Sequence, residues 1–175
     1  MVYTVRNIAR AGIPIFGYHW MPTLVGRTSL TTEIRSGARV TAFDLIQAEK
    51  DPLLMDRRYT ENEMWENLEY WIKIIVPIAE EEGIRIGIHP CDPPVAELQG
   101  IPQLFRSFEA YKRLISIVES PSNCIEFCQG TFSEMEDAKG EGIYDMIEYF
   151  GERDKILYVH FRNVSETVPS FREEF

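Results

Sequence analysis

Three short apolar segments of this sequence each stop at a residue type that commonly binds metal ions. They read RIGIH, CIEFC and ILYVH, and their last residues are His89, Cys128 and His160. Helix-like sequence separates each segment from the next, and strands that alternate with helices form parallel sheets. Because parallel strands end at the same edge of a sheet, we expect these three side chains to converge there.

Composition and charge exclude several kinds of partner. The 175 residues are 45% hydrophobic and 26% charged, which fits one globular domain over residues 1–175. The net charge of −10 argues against nucleic acid and against an anionic membrane surface. No apolar run reaches the ~18–20 residues that cross a bilayer. With three cysteines and no leader-like segment at the start, we expect reduced thiols and a cytoplasmic location.

Local signals divide the rest of the chain into helices, strands and loops. Thr60 and Glu63 form a capping box before a run with apolar residues at helical spacing, and Gly83 is placed to end that helix. Ser107 is the expected N-cap of the next helix. The other expectations are a helix end at 3–11, a strand at 13–19, a long polar connection at 20–59, a Pro-rich loop at 90–102, a helix at 141–150 and no closing strand at 168–175.

The predicted order α-β-α-β-α-β-α-β fits two α/β folds. A dinucleotide-binding, doubly wound sheet carries a Gly-rich phosphate turn after a strand, and no such turn is present. Ligand-type residues at successive strand ends favour the (β/α)8 TIM barrel, whose active sites lie at that face. A complete barrel takes ~250 residues and eight strands, so we expect one partial TIM-barrel domain of about four to five β/α units.

The predicted donor set suits a borderline divalent ion. Histidine and cysteine together can bind Zn²⁺, Fe²⁺, Mn²⁺, Co²⁺ or Ni²⁺. Each residue alone has an ordinary alternative, because a strand-end histidine is often only hydrogen-bonded and a cytosolic cysteine often packs as a small apolar residue. Three such residues at equivalent strand ends favour a shared metal site. Cys124 has poor geometry for joining Cys128 on one ion, so we expect it to pack.

Further polar residues are candidates for the rest of the site. Arg85 and Glu126 would point into the barrel from adjacent strands, so we expect them to pair or to share one polar network. His19 could be a fourth ligand, a substrate contact, a proton donor or a plain pocket wall. Arg162 could hold a carboxylate or form a rim salt bridge. Arg27 could reach over the site from a lid or lie on the surface.

At these residues the sequence resembles the D-mannonate dehydratase family of metal-dependent (β/α)8 barrels, which are related in shape to xylose isomerase. The resemblance covers nearly all of this chain and about the middle half of a family member. The matching stretches are YHWMP from Tyr18, GRT from Gly26, IHPCDPP from Ile88, CQG from Cys128 and HFRN from His160.

The resemblance implies a reaction and a ligand set. Family members remove water from D-mannonate to give 2-keto-3-deoxy-D-gluconate in hexuronate breakdown. Their Mn²⁺ or Fe²⁺ is held by His, Cys, His and Asp, and the first three correspond to His89, Cys128 and His160. The Asp and the acid/base residues belong to later strands, which leaves the catalytic residues unknown in this chain. Cys91 stands where many members have Asp.

By the same resemblance, the predicted contacts to the sugar acid are His19, Arg27, Arg162 and Asn163.

Two other functions stay open. One is another metal-dependent sugar isomerase or epimerase, although the acidic residues typical of two-metal isomerase sites are not evident at these strand ends. The other is a non-catalytic remnant of the family. An incomplete barrel also has open sheet edges, which predicts a homo-oligomer.

Overall fold

The chain forms a mixed α/β structure with two main sheets. The computed structural model describes residues 1–175. The α-helices are α1 Val2–Arg10, α2 Leu45–Ala48, α3 Glu61–Glu81, α4 Phe108–Ile117, α5 Gln129–Glu134 and α6 Gly142–Gly151. The strands are β1 Ile15–Tyr18, β2 Ser29–Glu33, β3 Arg39–Asp44, β4 Arg85–Ile88, β5 Glu97–Leu98, β6 Ile101–Pro102, β7 Asn123–Cys128, β8 Ile156–His160, β9 Asn163–Val164 and β10 Ser170–Glu174.

The larger architecture is the parallel sheet that the alternation predicts. Its strand order is β1-β4-β7-β8, and all three pairings are parallel. The sheet is curled like half of a barrel wall, with α3, α4 and α6 in the connections between its strands. The predicted incomplete TIM-barrel fold is therefore confirmed, with four parallel strands.

One irregularity in this sheet determines which side chains share a face. Between β7 and β8 the pairing runs Ile125 with Ile156, then shifts so that Glu126 lies opposite Tyr158 and Cys128 opposite His160. A β-bulge inserts one residue into a strand and re-aims the side chains that follow it. The shift therefore puts His160 level with Cys128 at the carboxyl end of the sheet.

The helix boundaries follow the predicted local signals. The Thr60 side chain accepts a hydrogen bond from the Glu63 amide, and Glu63 reaches back to the Thr60 amide, which completes the capping box of α3. Gly83 takes a left-handed φ of 70° just beyond that helix. The Ser107 side chain caps α4 by accepting from the Ala110 amide.

The second sheet corrects one expectation from the sequence. Residues 20–59 are not a wholly irregular connection, because they contain β2, β3 and α2. Residues 168–175 add no strand to the barrel sheet, as expected, but they contain β10 of the second sheet. These strands form an antiparallel sheet of order β2-β3-β10-β9, which includes a pairing of Phe43 with Phe171. The Pro-rich loop likewise contains the short β5-β6 pair.

Two apolar cores lie under the two sheets. The larger has 27 buried residues from the parallel sheet and its helices, including Leu68, Ile86 and Phe132. The smaller lies under the antiparallel sheet and consists of Phe43, Ala48, Val95, Leu98 and Phe171. The three cysteines are free and buried. No helix has both the length and the apolarity needed to cross a membrane.

Candidate metal centre

Three potential metal donors converge at the carboxyl end of the parallel sheet. His89 directly follows β4, and Cys128 and His160 are the last residues of β7 and β8. Their donor atoms all lie within 4.8 Å of one another. The His89 amide donates to the Tyr18 carbonyl at 2.8 Å, which continues the pairing of β4 with β1 up to the site. The structure thus brings together the three residues that the sequence pattern selected.

Both histidines are oriented with the same ring nitrogen free. Nδ1 of His89 lies 2.7 Å from the Pro90 carbonyl oxygen, and Nδ1 of His160 lies 3.0 Å from Glu126 Oε1. Carbonyl and carboxylate oxygens accept hydrogen bonds and cannot donate them, so each Nδ1 carries the hydrogen. Nε2 of each neutral ring then keeps its lone pair available to a metal ion.

The cysteine lies in surroundings that favour its thiolate. Burial raises the pKa of the Cys128 thiol, but the adjacent His89 side chain and the hydrogen bond from the Thr131 hydroxyl outweigh burial and bring that pKa down to about 7. Burial lowers the pKa of His89, while the adjacent Cys128 side chain raises it, with a net rise. A thiolate is the form that binds metals, so this pair is prepared to exchange its proton for a divalent ion.

The donor set fits a single divalent ion. With metal–ligand bonds of about 2.0–2.3 Å, donors on opposite sides of one ion lie about 4–4.6 Å apart, close to the span in this cluster. The cysteine side chain is buried, whereas the His160 side chain is 53% exposed. No carboxylate belongs to the cluster. An ion held here would keep open positions on the solvent side.

A second polar cluster lies beside the candidate metal centre and is centred on Asp92. Arg27 donates to both Asp92 oxygens, at 2.6 and 2.9 Å, and the two side chains are 8% and 7% exposed. Arg162 also donates to Asp92, at 3.2 Å, and to Glu134 and Glu173, at 2.6 and 3.2 Å. We call these five residues the Asp92 cluster.

The Asp92 cluster is linked to both sheets and to the metal donors. Arg27 Nε donates to Thr41 on β3, and Glu173 lies on β10, so the antiparallel sheet contributes at two points. The Thr131 hydroxyl on α5 lies 3.0 Å from Arg162 Nη2 and 3.2 Å from the Cys128 sulfur. The cluster therefore fixes the antiparallel sheet against the junction of β7 and α5, where the cysteine lies.

Glu134 is the most strongly perturbed member of this cluster. Its side chain is fully buried, and its Oε2 has no hydrogen-bond partner. Burial, with a further contribution from Asp92, raises the pKa of Glu134 to about 9 although Arg162 acts to lower it. The carboxyl group is therefore protonated at neutral pH, which makes the charges of the other four members balance.

Comparison with known proteins gives the family. The family model for D-mannonate dehydratase matches residues 49–174. The chain belongs to the D-mannonate dehydratase family. A curated mannonate dehydratase of Streptococcus suis (strain 05ZYH33) is 32% identical over 197 residues, covering 97% of this chain and 52% of that protein.

A solved structure supports the same assignment. The crystal structure of mannonate dehydratase from Streptococcus suis serotype 2 matches with a TM-score of 0.88 and 30% identity, over 98% of this chain and 51% of that one. A putative sugar phosphate isomerase/epimerase from Anabaena variabilis matches at a TM-score of 0.50 and 13% identity, which supports the fold alone. The chain spans about half the length of the mannonate dehydratases it matches.

The predicted substrate contacts lie in different settings. His19 is exposed, in an open pocket beside Trp20 and Met64. Arg27 and Arg162 both belong to the Asp92 cluster, where carboxylates occupy much of their hydrogen-bonding capacity. Asn163 is exposed on β9. Their contact with a sugar acid stays a prediction.

The expected pairing of Arg85 with Glu126 is wrong. Arg85 lies at the start of β4, where it donates to the Pro121 carbonyl, the Asp154 carbonyl and the Cys124 sulfur. Glu126 instead contacts His160 and Tyr158 near the carboxyl end of the sheet. The register pairs Gly87 with Cys124, so the two charges lie too far apart along their strands to meet. Cys124 packs, as expected, and is buried.

Sequence reasoning missed two supporting features. Arg27 of the GRT segment and Asp92 of the IHPCDPP segment form a buried ion pair. Their opposite charges were a signal in the sequence that could have predicted this pair. Glu134 stands in an acidic stretch that looks solvent-exposed in sequence, so its burial gave no signal. The glycine at position 130 has a steric explanation, because a Cβ there would lie 2.5 Å from Arg162 Nε.

Proposed function

We propose that this chain contributes the metal-binding half of a D-mannonate dehydratase site. The observation that supports this most strongly is the convergence of His89, Cys128 and His160 at three adjacent strand ends in a member of this family. The reaction removes water from D-mannonate and gives 2-keto-3-deoxy-D-gluconate, a step of hexuronate breakdown. The proposed metal is Mn²⁺ or Fe²⁺, and the proposed location is the cytoplasm, where free thiols persist.

The chemistry needs a cation near the substrate carboxylate. The carbon next to that carboxylate loses a proton, and the following carbon loses its hydroxyl group, so negative charge develops on an enediolate. A bound divalent ion supplies Lewis-acid stabilisation of that charge. The half-exposed His160 leaves the solvent side of the centre open to a sugar acid.

The chain's own residues would bind and orient the substrate. His19 is exposed and can hydrogen-bond hydroxyl groups, as Asn163 can from β9. Arg162 and Arg27 are fixed by the Asp92 cluster, so a substrate carboxylate would meet only their remaining N–H groups. These four roles are proposals.

A metal-binding but inactive chain is the second candidate. It is favoured by the cluster itself, which has three donors and no carboxylate. In that case the centre would bind an ion without turning over the sugar acid.

One experiment separates the two candidates. The protein is loaded with Mn²⁺ or Fe²⁺, its metal content is measured, and formation of the keto acid from D-mannonate is followed. Dehydratase function predicts bound metal and turnover, loss of both in His89→Ala, and retained metal with slower turnover in His19→Ala. Bound metal without turnover contradicts the dehydratase and supports the second candidate. No bound transition metal contradicts both.

A further inference from the structure

We propose that Glu126 is a positioning residue that fixes the tautomer and direction of His160, and that Tyr158 in turn holds Glu126. The inference rests on the proposed metal centre, because it concerns how one of the three donors is prepared. The contacts lie below the donors, and their residues come from β1, β7 and β8. We call Glu126, Tyr158 and the space at Gly17 the His160 support.

His160 needs a partner that fixes its orientation. Its side chain is 53% exposed, and the rings closest to it are those of His89 and Tyr158, both with centroids 5.6 Å away. The polar contact is between Nδ1 and Glu126 Oε1, at 3.0 Å. The carboxylate can only accept, so it holds the hydrogen on Nδ1 and leaves Nε2 for the ion.

Glu126 is a buried carboxylate without a basic partner. Its side chain is 6% exposed, and no Arg or Lys lies within salt-bridge distance of it. Tyr158 lies opposite Glu126 in the pairing of β8 with β7, and the Tyr158 hydroxyl and Glu126 Oε2 both approach Gly17. A phenol is protonated at neutral pH, so this hydroxyl can donate to the carboxylate. A carboxylate with two donors and no salt bridge is held in place while keeping its negative charge directed at His160.

Gly17 on β1 provides the room for this arrangement. A Cβ at that position would overlap the Tyr158 hydroxyl and lie 2.9 Å from Glu126 Oε2. Tyr158 thus reaches across the inner face of the sheet, from β8 to the backbone of β1. The bulge between β7 and β8 matters here as well, because it puts Glu126 opposite Tyr158.

His89 provides an internal comparison. Its Nδ1 donates to the carbonyl of Pro90, which is a backbone acceptor that no side-chain change removes. The two histidines therefore have the same predicted tautomer with different causes. Variants at Glu126 should change His160 and leave His89 as it is.

Long-range ¹H–¹⁵N NMR on metal-free, ¹⁵N-labelled protein tests the proposal, at about pH 8, above the ordinary histidine pKa of about 6.5. We expect His160 to be the Nδ1–H tautomer in the wild type and to lose that preference in Glu126→Ala, while His89 does not change. Glu126→Gln keeps an acceptor oxygen and should keep the Nδ1–H tautomer. Glu148→Gln, an exposed change on α6, is the matched control.

Mn²⁺ affinity, measured by titration calorimetry, is the second readout. Loss of a carboxylate that orients a metal-binding histidine typically weakens affinity about 10–100-fold, so Glu126→Ala should show that loss and Glu126→Gln a smaller one. Tyr158→Phe should keep the tautomer and weaken affinity less than Glu126→Ala. If Glu126→Ala fails to fold, Glu126→Gln and Tyr158→Phe still carry the comparison.

The outcomes are distinguishable from those of the proposed function. An unchanged His160 tautomer in folded Glu126→Ala overturns the positioning role. Glu126→Gln binding Mn²⁺ as weakly as Glu126→Ala also overturns it, because a retained acceptor should then have sufficed. A wild type that binds no Mn²⁺ but shows the predicted tautomers contradicts the metal centre and leaves the His160 support standing.

Discussion

Asp92 is the residue on which the buried charges beside the candidate metal centre depend most. It accepts hydrogen bonds from two arginines, and its pair with Arg27 is almost wholly buried. Replacing Asp92 by Asn would leave Arg27 buried without its counter-charge. Removing one partner of a buried ion pair costs on the order of 3 kcal/mol, and we expect Asp92→Asn to lower the free energy of unfolding by about that amount in a urea titration.

An exposed ion pair supplies the control for this change. Glu109 pairs with Lys112 on the surface of α4, where the Glu109 side chain is 79% exposed. Surface pairs contribute little, so Glu109→Gln should leave the urea midpoint almost unchanged. Equal effects of Asp92→Asn and Glu109→Gln would show that the Asp92 cluster does not hold the fold together.

Glu134 gives the protein a predictable dependence on pH. Its pKa is about 9 in the folded state, against an ordinary value of 4.5. The folded state thus keeps a proton that the unfolded state releases between these values, so the stability gained from protonated Glu134 is fully present below pH 4.5 and is lost as the pH rises towards 9. We expect Glu134→Gln, which mimics the protonated acid, to become increasingly more stable than the wild type over that range.

Urea titrations of both proteins at several pH values provide the test. The difference in unfolding free energy should grow in favour of Glu134→Gln as the pH increases. A difference that stays constant with pH would mean that Glu134 is ionised in the folded protein and that Arg162 alone compensates its charge.

Strand β1 contributes to the candidate metal centre through Gly17, which has no side chain. Gly17→Ala would place a methyl group against the Tyr158 hydroxyl. Overpacking of this kind costs about 1–3 kcal/mol, so we expect a lower thermal midpoint and, through displaced Tyr158 and Glu126, weaker metal binding. Gly151→Ala is the matched control, because nothing lies within 4 Å of its added Cβ. Equal midpoints for the two variants would contradict the close approach.

The elements that sequence patterns predicted are those with local signals. The capping box at Thr60, the cap at Ser107 and the three strand ends each depend on a few neighbouring residues, and the structure has them as expected. The antiparallel sheet was missed because its strands are short and largely polar, and because Phe43 pairs with the distant Phe171. No local sequence pattern predicts a pairing between residues so far apart in the chain.

The candidate site shows the same contrast between features with a local sequence signal and features without one. The three donors could be predicted because each ends a strand, and parallel strands end together. Their support could not, because the contact of Glu126 with His160 depends on a one-residue register shift. The assumption that inward charges on adjacent strands pair failed for Arg85, because it ignored how far along its strand each charge lies.

At the scale of the whole molecule, the parallel sheet has two open edges. The outer strands of the parallel sheet are β1 and β8, and Ile15, Val159 and Phe161 are 41%, 52% and 91% exposed. Unpaired edges with apolar side chains favour association, so the homo-oligomer stays our prediction. Light scattering after size exclusion should give a multiple of the chain mass that Val159→Lys reduces and Tyr70→Lys, on the exposed face of α3, does not. A single-chain mass for the wild type at all concentrations would contradict it.

We propose above all that three strand ends of this half-barrel hold one divalent ion. Titration with Co²⁺, followed by the near-ultraviolet band of a thiolate-to-cobalt charge transfer, tests it directly because the band requires a cysteine ligand. Cys124 is the matched control, since it lies on the same strand as Cys128 and outside the donor cluster. We predict one Co²⁺ per chain, with the band present in Cys124→Ser and absent in Cys128→Ser. A band that persists in Cys128→Ser, or no band in the wild type, would contradict the claim.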